Sequence, residues 1–346
     1  MDLADEENDE DRQEQHGAEL PEAAEAEREA EEKDLFSCRI DNARAVTTVL
    51  SCLSHGSRKA QHAQCEATPE GLTFVITGKA KFTQAQGALS KDLFQAYECE
   101  EDGGRFGINL SMLLECLQIF GMNASASAAL AYYPGTATFK VTLEENGVFT
   151  SCELRTLVEE SDAMEFAALA AAFRSSPEEC RCIIRSETLK EAFQELADLP
   201  GAASIVFEAS QHAPHLKLST SGSYGSSSIQ FPRSSEAFVH FSCTPPSLRW
   251  SYALSALEGG MRALPFAQET FVRINEEGIM CIQHQVQVAG HNTYVDFLIC
   301  ANTADIDDDT GLSQSVPPAP AAAAANGASR TPQDDRYGSN EDHADD

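Results

Sequence analysis

The feature that most constrains this chain is a pattern that returns four times along its 346 residues: a short apolar strand, an amphipathic helix, then two or three alternating strands. The helical stripes are Val46/Val49/Leu50/Leu53, Leu110/Leu113/Leu114/Leu117, Leu189/Ala192/Phe193/Leu196 and Trp250/Ala253/Leu254/Leu257, with i, i+3, i+4, i+7 spacing or a close variant. Their first members recur after 64, 79 and 61 residues, and the longer middle gap falls where a linker between two like domains belongs. The pattern predicts an α+β architecture of two similar domains, each of two βαβββ units, with antiparallel sheets outside and helices lining one inner face.

Local punctuation supports the units. Phe36–Ile40 reads as a strand, Asp41-Asn42 as a helix N-cap pair, and His55-Gly56 as the end of that helix. Thr68-Pro69-Glu70-Gly71 is a turn, followed by alternating Leu72, Phe74 and Ile76. Residues 105–108 lead into a helix capped by Asn109 and stopped at Gly121; Phe139, Val141 and Leu143 alternate after it, and Asn146-Gly147 marks a tight hairpin. Residues 156–179 read as an interdomain connector between domains at 35–155 and 180–301. The second domain opens with a strand at 182–184 and a helix capped by Ser186, then strands at 204–209, 216–220 and 226–231. A strand at 237–241 follows, then Pro245-Pro246 leading into a helix that stops at Gly259-Gly260, and strands at 271–274, 279–286 and 293–300.

Charge enters because it first argues against a nucleic-acid partner. The formal net charge is −31, but residues 1–34 hold 16 acidic against three basic residues, and 302–346 hold ten against two beside a Pro/Ala run at 317–325. Both tails read as disordered, since they have too little apolar surface to offset the entropy of ordering. They carry −13 and −8, leaving about −10 on the middle, an ordinary value for a domain pair. Eleven scattered cysteines without an apolar leader fit a reducing compartment, and no apolar run is long enough to cross a bilayer.

Helices repeated on one side of a sheet would share a continuous face, on which basic side chains could follow a phosphate backbone without reading sequence. The candidates are Arg44, Arg58 and Lys59 by the first helix, Lys79 and Lys81 in an early loop, Lys190 on the third helix and Arg249 on the fourth.

Several segments go beyond what an amphipathic fold requires: 40–44 (IDNAR), 106–121 with its Leu113-Leu114-Glu115-Cys116-Leu117 core, 143–148 (LEENGV) and 186–196 (SETLKEAFQEL). Over residues 35–301 the chain resembles the sliding DNA clamps, and within them the Rad-one branch of the heterotrimeric checkpoint clamp, the nine-one-one complex. The resemblance implies a DNA-clamp fold and one third of a ring completed by Rad-nine-like and Hus-one-like subunits. A clamp loader would place that ring on double-stranded DNA at recessed ends, in the nucleus, as a platform for checkpoint signalling and repair enzymes. It also implies ring closure through edge strands, with Val148, Phe149, Ser151, Glu153 and Arg155 on the first edge and Ser226, Ser228, Ile229 and Phe231 on the second. The third helix carries Glu187, Glu191 and Glu195 against Lys190, and the second carries Glu115 with no basic residue, so partners are expected to supply more of the positive lining.

Two other readings compete. A three-prime to five-prime exonuclease needs converging carboxylates for metal ions, but none of Asp41, Asp92, Asp102, Asp162, Asp198 and Asp296 begins an Asp-x-Glu pair, and Glu98 to Asp102 read as a hairpin tip. A protein-interaction scaffold that never encircles DNA would keep the fold without needing the basic residues. His212/His215 and Cys180/Cys182 lack the spacing of metal or redox sites, and no phosphate loop is present, so neither cofactor nor metal is expected.

Overall fold

A computed structural model describes residues 33–54, 60–77, 83–121, 124–157 and 163–302, which belong to one compact unit spanning 1–307. Arg58, Lys59, Lys79 and Lys81 lie outside the described residues, as do Asp162 and nearly all of both acidic tails.

The first half runs β1 (Phe36–Ile40), α1 (Arg44–Leu53), β2 (His62–Thr68), β3 (Gly71–Thr77), β4 (Thr83–Ser90), β5 (Ala96–Cys99), β6 (Gly104–Asn109), α2 (Leu110–Leu117), β7 (Ser127–Tyr133), β8 (Thr138–Glu145) and β9 (Val148–Arg155). Helix α3 (Ala163–Ser175) follows. The second half runs β10 (Glu178–Arg185), α4 (Ser186–Ala197), β11 (Ser204–Ser210), β12 (Leu216–Gly222), β13 (Gly225–Phe231), β14 (Phe238–Cys243), β15 (Ser247–Ala253), α5 (Leu254–Ala263), β16 (Ala267–Asn275), β17 (Met280–Val288) and β18 (His291–Ile299).

Three sheets form, with strand orders 5-1-7-8-9, 13-12-11-15 and 14-10-16-17-18-4-3-2-6. Adding nine to each strand of 5-1-7-8-9 gives 14-10-16-17-18, and adding nine to 6-2-3-4 gives 15-11-12-13. The two halves therefore share one topology, and the nine-stranded sheet is where they join. That join is an antiparallel ladder between β18 and β4, with Val295 opposite Gly87, Phe297 opposite Ala85 and Ile299 opposite Thr83. Large side chains on one strand meet small ones on the other. The small ones are required by the helix above: a Cβ on Gly87 would lie 3.0 Å from Cγ1 of Val49.

The four amphipathic helices pack in the order α2, α1, α5, α4, each touching the next, with α1 and α5 both resting on β18. Asn42 Oδ1 accepts from the N–H of Arg44 at 2.9 Å, and Asn109 Oδ1 accepts from that of Met112 at 3.1 Å, so both asparagines satisfy first-turn donors. Ser186 does not cap; it is buried as the first residue of α4 and its hydroxyl lies 2.8 Å from Thr270 Oγ1. The fourth stripe is corrected most. The helix begins at Leu254, and Trp250 and Ala253 belong to β15, which Pro245-Pro246 precede. Trp250 lies over the turn at Gly278, where a Cβ would come within 2.5 Å of its ring, and the Tyr252 hydroxyl donates to Gly278 O at 3.0 Å. Gly259 and Gly260 do not end the helix either: both lie inside α5, where Gly260 is buried and a Cβ on it would sit 3.3 Å from Cδ1 of Ile282. Each half also carries one short strand, β5 or β14, beyond its βαβββ units, so the strand expected at 237–241 is that extra strand rather than the one leading into the helix.

The alanine-rich part of the connector is helical, as strong helix formers permit. Phe173 of α3 packs with Ile279, Cys281 and Leu298, and the guanidinium of Arg273 lies 5.3 Å from the Phe173 ring centre.

Beneath α4 and α5 a buried polar chain runs from Ser186 through Thr270 to His284, whose Nδ1 is 2.9 Å from Thr270 Oγ1. Burial lowers the His284 pKa from 6.5 to about 4. The unfolded chain therefore binds the extra proton first, so this histidine costs nothing above about pH 6.5 and destabilises the fold as pH falls from there toward 4. By pH 5 the loss is about 2 kcal/mol. In urea unfolding, the stability advantage of the wild type over His284→Gln should shrink by that amount between pH 7.5 and pH 5; an advantage constant with pH would contradict the assignment.

Candidate subunit-joining edges and nucleic-acid interface

A sheet ends wherever a strand has one neighbour, and the unpaired backbone groups there need water or another strand. In each half the β4-type and β9-type strands stand at such ends, as do the β5-type and β6-type strands. Between the halves, β4 and β18 solve this for each other. Their topological equivalents, β13 and β9, have one ladder each among the described residues, β13 with β12 and β9 with β8.

The chemistry of β9 follows from its hairpin. Asn146 and Gly147 have φ of 52° and 78°, the left-handed pair that a two-residue turn with primed geometry needs, and Glu145 pairs with Val148 across it. Alternate residues then bond to β8 while the N–H groups of Phe149, Ser151, Glu153 and Arg155 point away from it. Thr150, Cys152 and Leu154 turn half-buried side chains inward; Ser151, Glu153 and Arg155 are exposed. At the tip, Val148 is 56% and Phe149 67% exposed.

Strand β13 alternates likewise. Ser226 and Ser228 are exposed, Ile229 is half-buried against the core, and Phe231 is fully in the core, its ring 6.1 Å from that of Phe238. Phe231 thus supports the edge without being offered by it. The β12–β13 hairpin ends in Tyr224, 87% exposed.

The helix row presents a different surface. Arg44 on α1 is exposed and Lys190 on α4 half-buried, but Arg249 is not on a helix. It sits on β15 directly across from Glu208 of β11, with Nε 3.3 Å from Glu208 Oε1, and Lys217 of β12 holds the other oxygen at 2.7 Å. Because Ile205, Phe207 and Ala209 of β11 face the core, this Lys217–Glu208–Arg249 row lies on the opposite side of its sheet. The exposed helix residues are instead Glu115, Glu187, Glu191, Glu195 and Glu258, with Arg44 and Arg262 as the exposed cations; Arg262 reaches Glu258 at 3.4 Å. Sequence reasoning missed Arg262 because it ended the helix at Gly259-Gly260. The carboxylates outnumber the cations on this face, so alone it is a poor surface for phosphate.

Among the described residues no three His, Cys, Asp or Glu side chains gather as a metal-binding group. Asp296 on β18 accepts from Gln283 Nε2 at 2.8 Å, and burial raises its carboxyl pKa.

Comparison with known proteins gives three findings. The family described as "Repair protein Rad1/Rec1/Rad17" matches residues 35–286. Cell cycle checkpoint protein RAD1 of Homo sapiens is 30% identical over 277 residues, 78% of this chain and 93% of that protein, and its Mus musculus counterpart is 30% identical over 266 residues. DNA damage checkpoint control protein rad1 of Schizosaccharomyces pombe is 26% identical over 259 residues, 68% of this chain and 77% of that protein. Among solved structures, a chain of the PCNA2–PCNA3 complex from Sulfolobus tokodaii superposes with a TM-score of 0.61 at 16% identity, covering 77% of this chain and 99% of that one. At that identity the likeness concerns the fold.

The edge geometry makes an amide-exchange pattern testable on the isolated chain. Along β9, the amides of Thr150, Cys152 and Leu154 should be protected and those of Phe149, Ser151 and Glu153 should exchange at least tenfold faster. Uniform protection along the strand would show that the edge is already covered.

Proposed function

This chain belongs to the Rad1/Rec1/Rad17 family of repair proteins and is a DNA-clamp-fold subunit of checkpoint signalling, and from that premise we propose that it forms one third of a heterotrimeric ring around double-stranded DNA. The ring is completed by a Rad-nine-like and a Hus-one-like subunit, is set in place by a clamp loader in the nucleus, and serves repair enzymes as a non-catalytic platform. We read residues 35–155 and 180–301 as its two clamp domains and 156–179 as their connector.

The observation that carries this reading is the β18–β4 ladder. It joins one β9-type edge to one β4-type edge, and the chain has one more edge of each type, β9 and β13, at two of the six sheet ends formed by the described residues. Repeating the internal joint between molecules yields head-to-tail contacts, which close into rings when the rotation allows. Aligning the hairpins sets the register: Cys152 opposite the neighbour's equivalent of Gly87, and Leu154 opposite that of Ala85.

Assembly is tested by size measurement after co-expression. The three subunits should elute as one heterotrimer, the chain alone should not form a stable homotrimer, and the ring should leave a recessed duplex intact with Mg²⁺. Ser151→Pro, which removes an outward N–H without disturbing the β8 ladder, should break the β9 joint. Wild-type assembly of this variant, or a stable homotrimer of the native chain, would overturn the reading.

The helix face gives a second test, on the assembled ring and closed circular DNA. The acidic residues of α4 oppose the duplex and partners supply the grip, so Glu187, Glu191 and Glu195 changed together to Gln should raise the salt concentration the complex withstands. Arg44→Glu should lower it modestly, with the salt slope changing by about one per phosphate contact. No response to either change would favour a scaffold that does not encircle DNA.

A further inference from the structure

The β9 hairpin carries a feature the fold itself does not call for, and its interpretation rests on the ring reading above. The β8–β9 and β17–β18 hairpins are built alike: each has a two-residue turn with both residues left-handed, Asn146-Gly147 and Ala289-Gly290. Each pairs the flanking residues, Glu145 with Val148 and Val288 with His291. Val148 and Phe149 therefore occupy the positions of His291 and Asn292. Those two are polar and exposed, so a hairpin of this geometry has no need of apolar side chains at its tip. Yet Val148 and Phe149 leave 56% and 67% of their surfaces in water, on a strand whose outward N–H groups are unpaired by β8. An exposed aromatic beside an open edge has one physical use that surrounding polar residues cannot supply, which is desolvated contact with whatever pairs with that edge.

We propose that Val148 and Phe149 are the apolar anchor of the β9 joint, seated on the neighbouring clamp subunit where its β4-type edge strand ends. The internal joint supplies the geometry. Its ladder runs from Ile299 opposite Thr83 to Val295 opposite Gly87, and the register carried three residues further sets position 292 against Ser90, the last residue of β4. Phe149 stands at the position of Asn292, so it reaches past the paired segment to the point where the neighbour's strand gives way to its following turn. The occupant is thereby specified in chemical terms. It is a clamp-fold subunit whose edge strand bears small inward residues, as β4 bears Ala85 and Gly87, because Cys152 and Leu154 stand where Val295 and Phe297 stand. Its strand ends in an apolar step rather than in the serine found at position 90. The β13 edge differs: its ladder bears Ser226 and Ser228, and the exposed Tyr224 lies in the turn outside that ladder, so the two joints of this subunit differ in kind.

The test uses the full chain and each of its two clamp companions, purified singly and titrated in pairs by sedimentation. The double variant Val148→His, Phe149→Asn installs what β18 carries at the same positions. It should bind the companion at the β9 edge roughly 30-fold more weakly, as loss of an interface hot spot does, and bind the other companion with unchanged affinity. Its melting temperature should match that of the wild type, because both side chains are exposed. Ser151→Pro is measured in parallel. If Ser151→Pro abolishes the β9 joint while the double variant binds normally, the anchor is refuted and the ring reading stands. If Ser151→Pro leaves both pairings intact, the ring reading itself has failed. A double variant with a markedly lower melting temperature would show that Val148 and Phe149 pack within their own subunit, which also refutes the anchor.

Discussion

Backbone hydrogen bonding at sheet ends is the constraint on which this structure depends. A βαβββ duplication leaves each half with sheet ends whose N–H and C=O groups face nothing, and two such halves in one chain can satisfy only one pair of them with each other. The β18–β4 ladder is that pair, and it turns two half-sheets into one nine-stranded sheet. The described sheets keep six ends, at β5, β6, β9, β13, β14 and β15, and of these β9 and β13 are the two whose topological equivalents pair inside the chain. Exposed edges are a liability that soluble proteins cover or pair, so two open edges of complementary type favour a head-to-tail joint between subunits.

Packing makes the internal ladder permanent. Val295, Phe297 and Ile299 are buried on β18 while β4 offers Gly87 and Ala85, and the helices come down onto that seam through residues chosen for lack of bulk. Gly87 admits Val49 of α1, and Gly260 admits Ile282 beneath α5. A methyl group at Gly87 would press on a buried β-branched side chain with little freedom to move, so the first helix would have to give by a few tenths of an ångström. At the outer edges no helix-borne constraint of this kind is needed until a partner arrives, which is why β9 can carry Cys152 and Leu154 half-exposed.

Much of this was legible in the sequence where the signals were local. The helices at 46, 110 and 189, the Asn42 and Asn109 caps and the Asn146-Gly147 turn follow from periodicity and turn chemistry alone, and so does the strand alternation between them. The fourth helix was misplaced because Trp250 and Ala253 fit a helical stripe as well as a strand; what makes them strand residues is their pairing with Phe207 and Ser204 of β11. Gly259-Gly260 reads as a stop signal because sequence cannot distinguish a glycine that ends a helix from one that lies inside it. The β18–β4 ladder pairs residues more than 200 positions apart, and nothing local announces it. Arg249 was assigned to a phosphate-facing helix only because the helix was drawn around it; in β15 strand alternation puts it, with its cross-strand neighbour Glu208, on the side of the sheet away from the core.

The electrostatics follow from the division of labour among joined subunits. A homomeric ring must find its whole grip on DNA in one sequence, so each copy of its helix face has to be cationic. In the proposed ring this subunit works beside two different partners and is released from that demand, and its helices carry Glu187, Glu191 and Glu195 in positions set by α-helical solubility rather than by phosphate. Such a face does more than fail to attract: beside more basic walls it would bias the duplex toward them, over distances within the roughly 8 Å Debye length of physiological salt. On that reading, asymmetric edges and an asymmetric lining have the same origin, a chain shaped as one third of an assembly.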